Sequence, residues 1–323
     1  MYNIMVKIDL KDRKILYHLD LDSRQPLSKI GKKVGLPKNV VSYRLNRLKE
    51  LGVIKNFYTN IDLHKLGYNI LRFYFTYQYA TPEIKEEIIN YFKKCKYAGV
   101  IHSVEGSYDL VVYMYIKNLN EFYSYWEETL TKYRDYFSTQ ILSLYYLENM
   151  FNHAFLLEEK TERKRVDVFE GKTIANIDEL DIKILEFLAT NARIPAAEIA
   201  KKLNVTTVTI TNRIKKLVDQ EVIQWFRTQI DISKLGYRWY KVDIVLKDHK
   251  KLYHIIDYLK NNPNFIGVDR TIGYVDLELE FALKSINEIH KIMEDLSVKF
   301  PNTIRNYKYV YVIETHRYEY LKI

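Results

Sequence analysis

The chain repeats itself. Residues Ile8 to Tyr68 align without a gap on Ile177 to Tyr237, with identity at 24 of 61 positions. The matches include Arg24/Arg193, Pro26/Pro195, the lysines at 32–33 and 201–202, and "IDLHKLGY" (61–68), which returns as "IDISKLGY" (230–237). Further on the offset drops from 169 to 167: "GSYDL" (106–110) meets "GYVDL" (273–277), and "LNEF" (119–122) meets "INEI" (286–289). A two-residue deletion in the second copy accounts for the change. Solenoid repeats run about 20–50 residues, so a period this long makes each copy a complete structural unit.

Within a copy the pattern changes character twice. In residues 10–51, Leu10, Ile15, Leu16, Leu19, then Ile30 and Val34, then Val41, Leu45 and Leu48 fall at helical spacing, with breaks at Ser23–Gln25 and Gly35–Pro37. This predicts three short helices. "GVIKNFYTNI" (52–61) is β-prone and predicts a strand or wing leading away from them. From Asn69 the expected order is strand 70–79, helix 82–94, strands 98–105 and 109–116, helix 119–132 and strand 140–148. The second copy repeats it as strand 238–246, helix 249–261, strands 265–272 and 275–283, helix 285–298 and strand 303–313. A βαββαβ order is ferredoxin-like. The expected fold class is α+β: two winged helix-turn-helix domains (1–60 and 176–229) and two ferredoxin-like regulation domains (61–157 and 230–323) in tandem. Residues 158–175 are charged and aperiodic, and predict a linker with a short strand at Val166–Phe169.

Composition narrows the function classes. A single cysteine, Cys95, excludes an internal disulfide and a cysteine-based zinc site, and is expected to be a small buried hydrophobe. No run of 18 or more apolar residues occurs, and "MYNIMVKIDLKDRK" lacks the apolar core of a signal peptide. A cytoplasmic protein with no membrane partner is expected. No Gly-rich phosphate loop, paired-histidine motif or nucleophile elbow is present, so neither a cofactor nor a metal is expected.

Three helices ending in a β-wing is how winged helix-turn-helix modules lay a recognition helix in the DNA major groove. The chain carries +9. Residues 7–57 hold 13 Lys/Arg against 5 Asp/Glu, a net of +8, whereas residues 177–227 hold 8 against 7, a net of +1. Double-stranded DNA is therefore the expected partner, and the first head is expected to carry more of the affinity. With Val41, Leu45 and Leu48 turned inward, the third helix would offer DNA Lys38, Asn39, Ser42, Tyr43, Arg44, Asn46 and Arg47. Asn suits adenine, Arg suits guanine, and Lys and Tyr reach phosphates. The duplicate helix would offer Thr207, Thr209, Thr211, Asn212, Arg213 and Lys215, behind Thr206 as N-cap. Threonines touch thymine methyls or phosphates but give few strong base-specific bonds. Replacing Lys38 and Arg47 by Ala is accordingly expected to weaken binding far more than replacing Thr209 and Lys215.

Each copy resembles the leucine-responsive regulatory protein/AsnC (Lrp/AsnC) family of transcription regulators. The resemblance rests on "IDELDIKILEFLATNARIPAAEIAKKL" (177–203), "RLNRLKELGVI" (44–54), "IDLHKLGY" and "GSYDL". It implies a DNA-reading head joined to a ferredoxin-like regulation domain that dimerises through its sheet and in many members binds an amino acid. It further implies that "IDxxKLGY" marks the passage between the two, with Ile61 and Leu66 packed and Gly67 in a turn. On the same ground Gly106, Tyr108 and Asp109, with Gly273 and Asp276, are candidates for an effector site. The residues alone also suit a tight turn capped by Asp, with no ligand. Two copies in one chain would form an intramolecular pseudo-dimer with unequal heads, and pairing between chains stays open.

The chain departs from the family at two points. Pro37 stands where the family usually has a Ser or Thr cap. Glu221 replaces the glycine retained at Gly52, which would cost about 1 kcal/mol if that turn needs a positive φ.

Two other readings stand beside this one. Some siroheme decarboxylases resemble the same family and handle a carboxylate-rich tetrapyrrole with His and basic residues. His102 precedes "EGSYDL" where those enzymes can place a histidine, but its duplicate is Asp269, beside Arg270. An architectural DNA-coating protein with little sequence preference would also suit the lopsided charge.

Overall fold

A computed structural model describes residues 5–157, 163–168, 174–319 and 321. In the first head, α1 (Leu10–Leu21), α2 (Leu27–Val34) and α3 (Lys38–Glu50) close around Ile15, Leu16, Leu19, Ile30, Val34, Val41, Leu45 and Leu48. Leu10, expected in this apolar series, is instead 56% exposed, because it is the first helical residue after the N-cap. A reciprocal capping box starts α1: Asp9 Oδ1 accepts from the Asp12 amide at 2.8 Å and Asp12 Oδ2 from the Asp9 amide at 3.2 Å. Gly35, at φ 67°, ends α2.

Strand β1 (Ile54–Ile61) and a 3-10 turn at His64–Leu66 lead out of the head. Ile61 and Leu66 are buried, and Gly67 sits at φ 81°. The first ferredoxin-like unit follows as β2 (Asn69–Tyr77), α4 (Pro82–Lys94), β3 (Ala98–Gly106), β4 (Leu110–Ile116), α5 (Leu119–Tyr133) and β5 (Phe137–Phe151). A short β6 (Arg165–Val168) lies against the end of β5. It answers the predicted linker strand, although Phe169 and the predicted linker at 158–162 and 169–173 lie outside the described residues. The second copy gives α6 (Glu179–Thr190), α7 (Ala196–Leu203), α8 (Thr207–Asp219), β7 (Ile223–Ile230), β8 (Arg238–Leu246), α9 (Leu252–Leu259), β9 (Phe265–Ile272), β10 (Leu277–Leu283), α10 (Ile286–Lys299) and β11 (Ile304–Tyr318). Asp178 and Asp181 repeat the capping box. Glu221 sits at φ 56° where Gly52 sits at 70°, so the turn keeps its left-handed geometry without glycine.

The two copies pair at two levels. Rather than folding back on its own head, β1 pairs antiparallel with β7, Phe57 opposite Thr228 and Thr59 opposite Phe226. Each strand also packs on the other copy's first helix, β1 on α6 and β7 on α1. Arg24 donates from Nη1 to the carbonyls of Ala192 and Ile194, and Arg193 does the same to Ser23 and Gln25. The repeated arginine thus clasps the opposite head in both directions.

Below the heads the strands run β2-β4-β3-β11-β8-β10-β9-β5, and β5 pairs back onto β2. Two four-stranded sheets therefore close into one eight-stranded barrel. Strands β5 and β11 extend to 15 residues, beyond the predicted 140–148 and 303–313, because each pairs with a strand of its own copy and with one of the other. Strand alternation sends Leu71, Phe73 and Phe75 to the outside, under α4 and α5, and Val242, Ile244, Leu279 and Phe281 to the core under α9 and α10. The alternate residues Arg72, Tyr74, Lys241, Asp243, Glu278 and Glu280 point into the barrel and are buried there.

Candidate nucleic-acid interface

Each head presents the outer side of its third helix. On α3, burial of Val41, Leu45 and Leu48 turns Lys38, Asn39, Tyr43 and Asn46 to solvent, with Ser42 partly exposed. Arg44 and Arg47 are engaged inside the head. Arg44 Nη1 donates to Asp9 at 2.7 Å and Asp12 at 2.9 Å, and Arg47 Nη1 to Asp12 at 3.0 Å. On α8, Arg213 likewise reaches Asp178 and Asp181, and Lys216 reaches Asp181 at 3.0 Å. The identical arginine in both copies ties the third helix to the start of the first.

The threonine face of α8 is also partly engaged. Thr206 caps the helix by accepting from the Thr209 amide at 3.1 Å, Thr209 is half-buried, and Thr211 Oγ1 donates back to the Thr207 carbonyl at 2.9 Å. Thr207, Asn212 and Lys215 remain exposed. Val208, 68% exposed at the position of Asn39, is a surface residue that periodicity gave no reason to single out; an apolar group there suits a thymine methyl. No side chain caps α3 behind Pro37, so its first-turn amides point outward as they do at anion-binding helix ends. Beside it, Lys29, Lys32 and Lys33 of α2 are exposed. In the second head Glu198 takes the place of Lys29 and pairs with Lys202 at 3.3 Å.

The two turns of the regulation units differ. At Gly106 (φ 125°) a Cβ would lie 2.4 Å from the Tyr309 carbonyl, and Tyr108 is buried with its hydroxyl 2.8 Å from that of Tyr274. This turn is closed over by β11. The turn at Gly273 (φ 95°) borders an open groove of roughly 300 Å³ lined by Tyr146, His249, Tyr253, Arg270, Ile272 and Asp276. Asp109 and Asp276 each accept an amide from the neighbouring strand, Tyr77 at 2.8 Å and Leu246 at 2.7 Å, which is the capping role a turn aspartate serves without any ligand.

The barrel interior was not singled out from the sequence. Arg72 pairs with Glu278 and, at 2.8 Å, with Asp269; Lys241 reaches Asp269 at 2.7 Å and Glu278 at 2.5 Å; Tyr74 donates to Glu278 at 2.8 Å. Burial opposes ionisation of Glu278, but Arg72 and Lys241 hold its carboxyl down at about 2. Burial and then the charge of Glu278 push Asp243 up to about 7, and burial and then Asp269 push Glu280 up to about 7. His102 lies here too. Burial, with Arg72 nearby, pushes it down to about 3, and its Nδ1 lies 3.0 Å from Thr315 Oγ1. A polar alternation such as "DLELEFAL" reads as a strand with one wet face. The available signal was the duplication itself, because Glu278 and Glu280 stand where the first copy has Val111 and Tyr113.

Comparison with known proteins agrees with this geometry. Residues 177–218 match the AsnC-type helix-turn-helix domain and residues 8–55 a winged helix-turn-helix DNA-binding family. The chain is 34% identical over 120 residues to an uncharacterised HTH-type transcriptional regulator of Pyrococcus furiosus, spanning 37% of this chain and 81% of that one. It is 34% identical over 119 residues to the regulatory protein AsnC of Haemophilus influenzae, spanning 36% and 79%. Among solved structures, the siroheme decarboxylase NirDL superposes over 97% of this chain and 94% of its own with a TM-score of 0.64. At 14% identity this likeness is one of fold. Among the described residues no helix is long and apolar enough to cross a membrane.

Proposed function

The chain belongs to the Lrp/AsnC family of DNA-binding transcription regulators, and from that premise we propose that it is a tandem form whose two units make a pseudo-dimer and read DNA sequence with unequal heads. The observation that carries the reading is the contrast between the two third helices. The first combines exposed Lys38, Asn39 and Asn46, a helix start with no side-chain cap and three exposed lysines on α2; the second offers Thr207, Val208, Asn212 and Lys215 beside a paired Glu198–Lys202. Base discrimination is assigned mainly to Asn39 and Asn46, and phosphate contact to Lys38 and Tyr43.

Because Arg47 and Thr209 are engaged within their heads, the sharper test uses exposed residues. On a DNA fragment selected by the chain, Lys38→Ala with Asn39→Ala should weaken binding about tenfold or more and flatten the salt dependence by about one phosphate. Thr207→Ala with Lys215→Ala should cost far less. Equal losses in an anisotropy titration would contradict the unequal heads.

Amino-acid responsiveness is assigned to the groove beside Gly273. Arg270 would hold a carboxylate, Asp276 an ammonium group, and Ile272 and Tyr253 an apolar side chain. Thermal unfolding with each standard amino acid should show a rise that Arg270→Ala removes; no rise with any of them would exclude this site.

The enzyme reading is disfavoured by size. The cavity beside His102 is roughly 40 Å³, whereas ligand pockets for molecules smaller than a tetrapyrrole run from about 300 Å³ upward.

A further inference from the structure

The barrel interior is not neutral. Its buried cations are Arg72 and Lys241, and its buried carboxyls are Glu148, Asp243, Asp269, Glu278 and Glu280. Asp269 and Glu278 take both cations through the pairs described above, and Asp243 accepts from the Tyr274 hydroxyl at 2.8 Å. Glu280 lies no nearer than 3.8 Å to Lys241 Nζ. Burial, and then the neighbouring Asp269 and Glu280, push the Glu148 carboxyl well above the usual range, against a smaller opposing pull from Arg72 and Arg227.

Glu148 and Glu280 both line the cavity of roughly 40 Å³, together with His102, Tyr113, Tyr145 and Trp239. His102 is 3% exposed, and its Nε2 has no hydrogen-bond partner among the described residues. Burial keeps this imidazole neutral. If Nδ1–H donates to Thr315, Nε2 is an acceptor.

The lining therefore offers two carboxyls that a bound cation would hold in their ionised form, an imidazole lone pair and ring faces, all of which suit a hydrogen-bonding cation. The rings already perform this task once. The Arg72 guanidinium lies 4.2 Å from the centroids of both Tyr113 and Tyr145. Among the described residues no group of three or more His, Cys, Asp or Glu is arranged to hold a metal ion. The volume suits a group of only a few heavy atoms, and Trp239 and Tyr318, partly exposed, form the outer part of the lining.

We propose that this cavity binds the head group of a small primary ammonium ion, with Glu148 and Glu280 as counter-charges, His102 Nε2 as an acceptor and the tyrosine and tryptophan rings as walls. The site is separate from the groove beside Gly273 and does not depend on how the heads read DNA.

The test is thermal unfolding of the full chain above neutral pH with methylammonium chloride, against sodium and potassium chloride at matched ionic strength. At a tenfold excess over its dissociation constant, methylammonium should raise the midpoint by about 2–4 °C beyond sodium. Glu148→Gln should lose that increment. Glu280→Gln provides the same comparison should the first variant fold poorly, and a ligand-detected NMR titration of methylammonium reads binding directly. No increment over sodium, an equal one with potassium, or an equal one in a folded Gln variant overturns the proposal.

Discussion

At the scale of single residues, what distinguishes this chain is where its two copies disagree. Aligned positions pair Arg72 with Lys241, Tyr74 with Asp243, His102 with Asp269, Val111 with Glu278 and Tyr113 with Glu280. The second copy thus supplies four of the five buried acids, Glu148 coming from the first, and both copies supply a base. Pairing two second copies would bury eight of these carboxyls against two lysines, and pairing two first copies would leave two arginines with only the two Glu148 carboxyls, so the Arg72–Asp269 and Arg72–Glu278 pairs exist only in the mixed pair. Arg72→Met should cost about 3–5 kcal/mol in urea unfolding, because it strands Asp269 and Glu278 with Lys241 alone. A change under about 1 kcal/mol would mean the network is not held as described. The pH dependence follows from opposing shifts. Asp243 and Glu280, raised to about 7 from ordinary values of 3.8 and 4.5, bind protons in the folded state that the unfolded chain has released. These two groups should therefore lower stability as pH rises from about 4.5 to above 7, on the order of 1–3 kcal/mol each. His102, His18 and His153, held by burial at about 3, 4 and 4, instead raise stability with pH up to about 6.5. Glu278, held at about 2, also acts in the opposite sense to Asp243 and Glu280, and its contribution is lost as pH falls below about 4.5. Glu280→Gln should make the slope of stability against pH between 5 and 7 more positive in a series of denaturation curves; an unchanged slope would contradict the assignment.

At the scale of elements, much of the fold was legible. Helix boundaries followed from the breaks at Ser23–Gln25 and Gly35–Pro37 and from Thr206 as a cap, whereas the capping boxes at Asp9 and Asp178 appear only in the structure. The βαββαβ order followed from alternation and breaks, with α9 displaced only because a 3-10 turn at His249–Lys251 precedes it. What could not be read was the partner of a strand. "GVIKNFYTNI" looks like a wing in either case, yet β1 pairs with β7, because nothing local says whether a strand's hydrogen bonds are met by its own head or by its twin. The polar faces of β8 and β10 were opaque for the same reason, since alternation reports two faces without saying what covers the second. The repeated Arg24 and Arg193 carried a clue. Both face carbonyls of the opposite head, and such charge-assisted bonds contribute about 1.5–3 kcal/mol. Arg193→Ala should accordingly raise amide exchange at the Ser23–Gln25 turn and in β1 while leaving α9 and α10 protected; uniform loss of protection would show that the heads do not open separately.

At the scale of the whole molecule, one chain holds two heads in fixed relation through the β1–β7 ribbon, above a barrel whose buried ion pairs join the two copies. The electrostatic imbalance between heads was plain in the sequence, +8 against +1. The side chains that express it were only partly so, because Arg44, Arg47 and Arg213 turned out to be engaged within the heads. A homodimer of equal heads calls for a palindromic site, whereas unequal heads call for two unlike half-sites spaced by whole turns of about 10 base pairs. The most direct measurement is selection of bound fragments from a random DNA library by the full chain at two salt concentrations. The account predicts an asymmetric motif in which the first-head half persists at the higher salt and the second fades. A symmetric motif, or salt-sensitive binding with no preferred sequence, would contradict it.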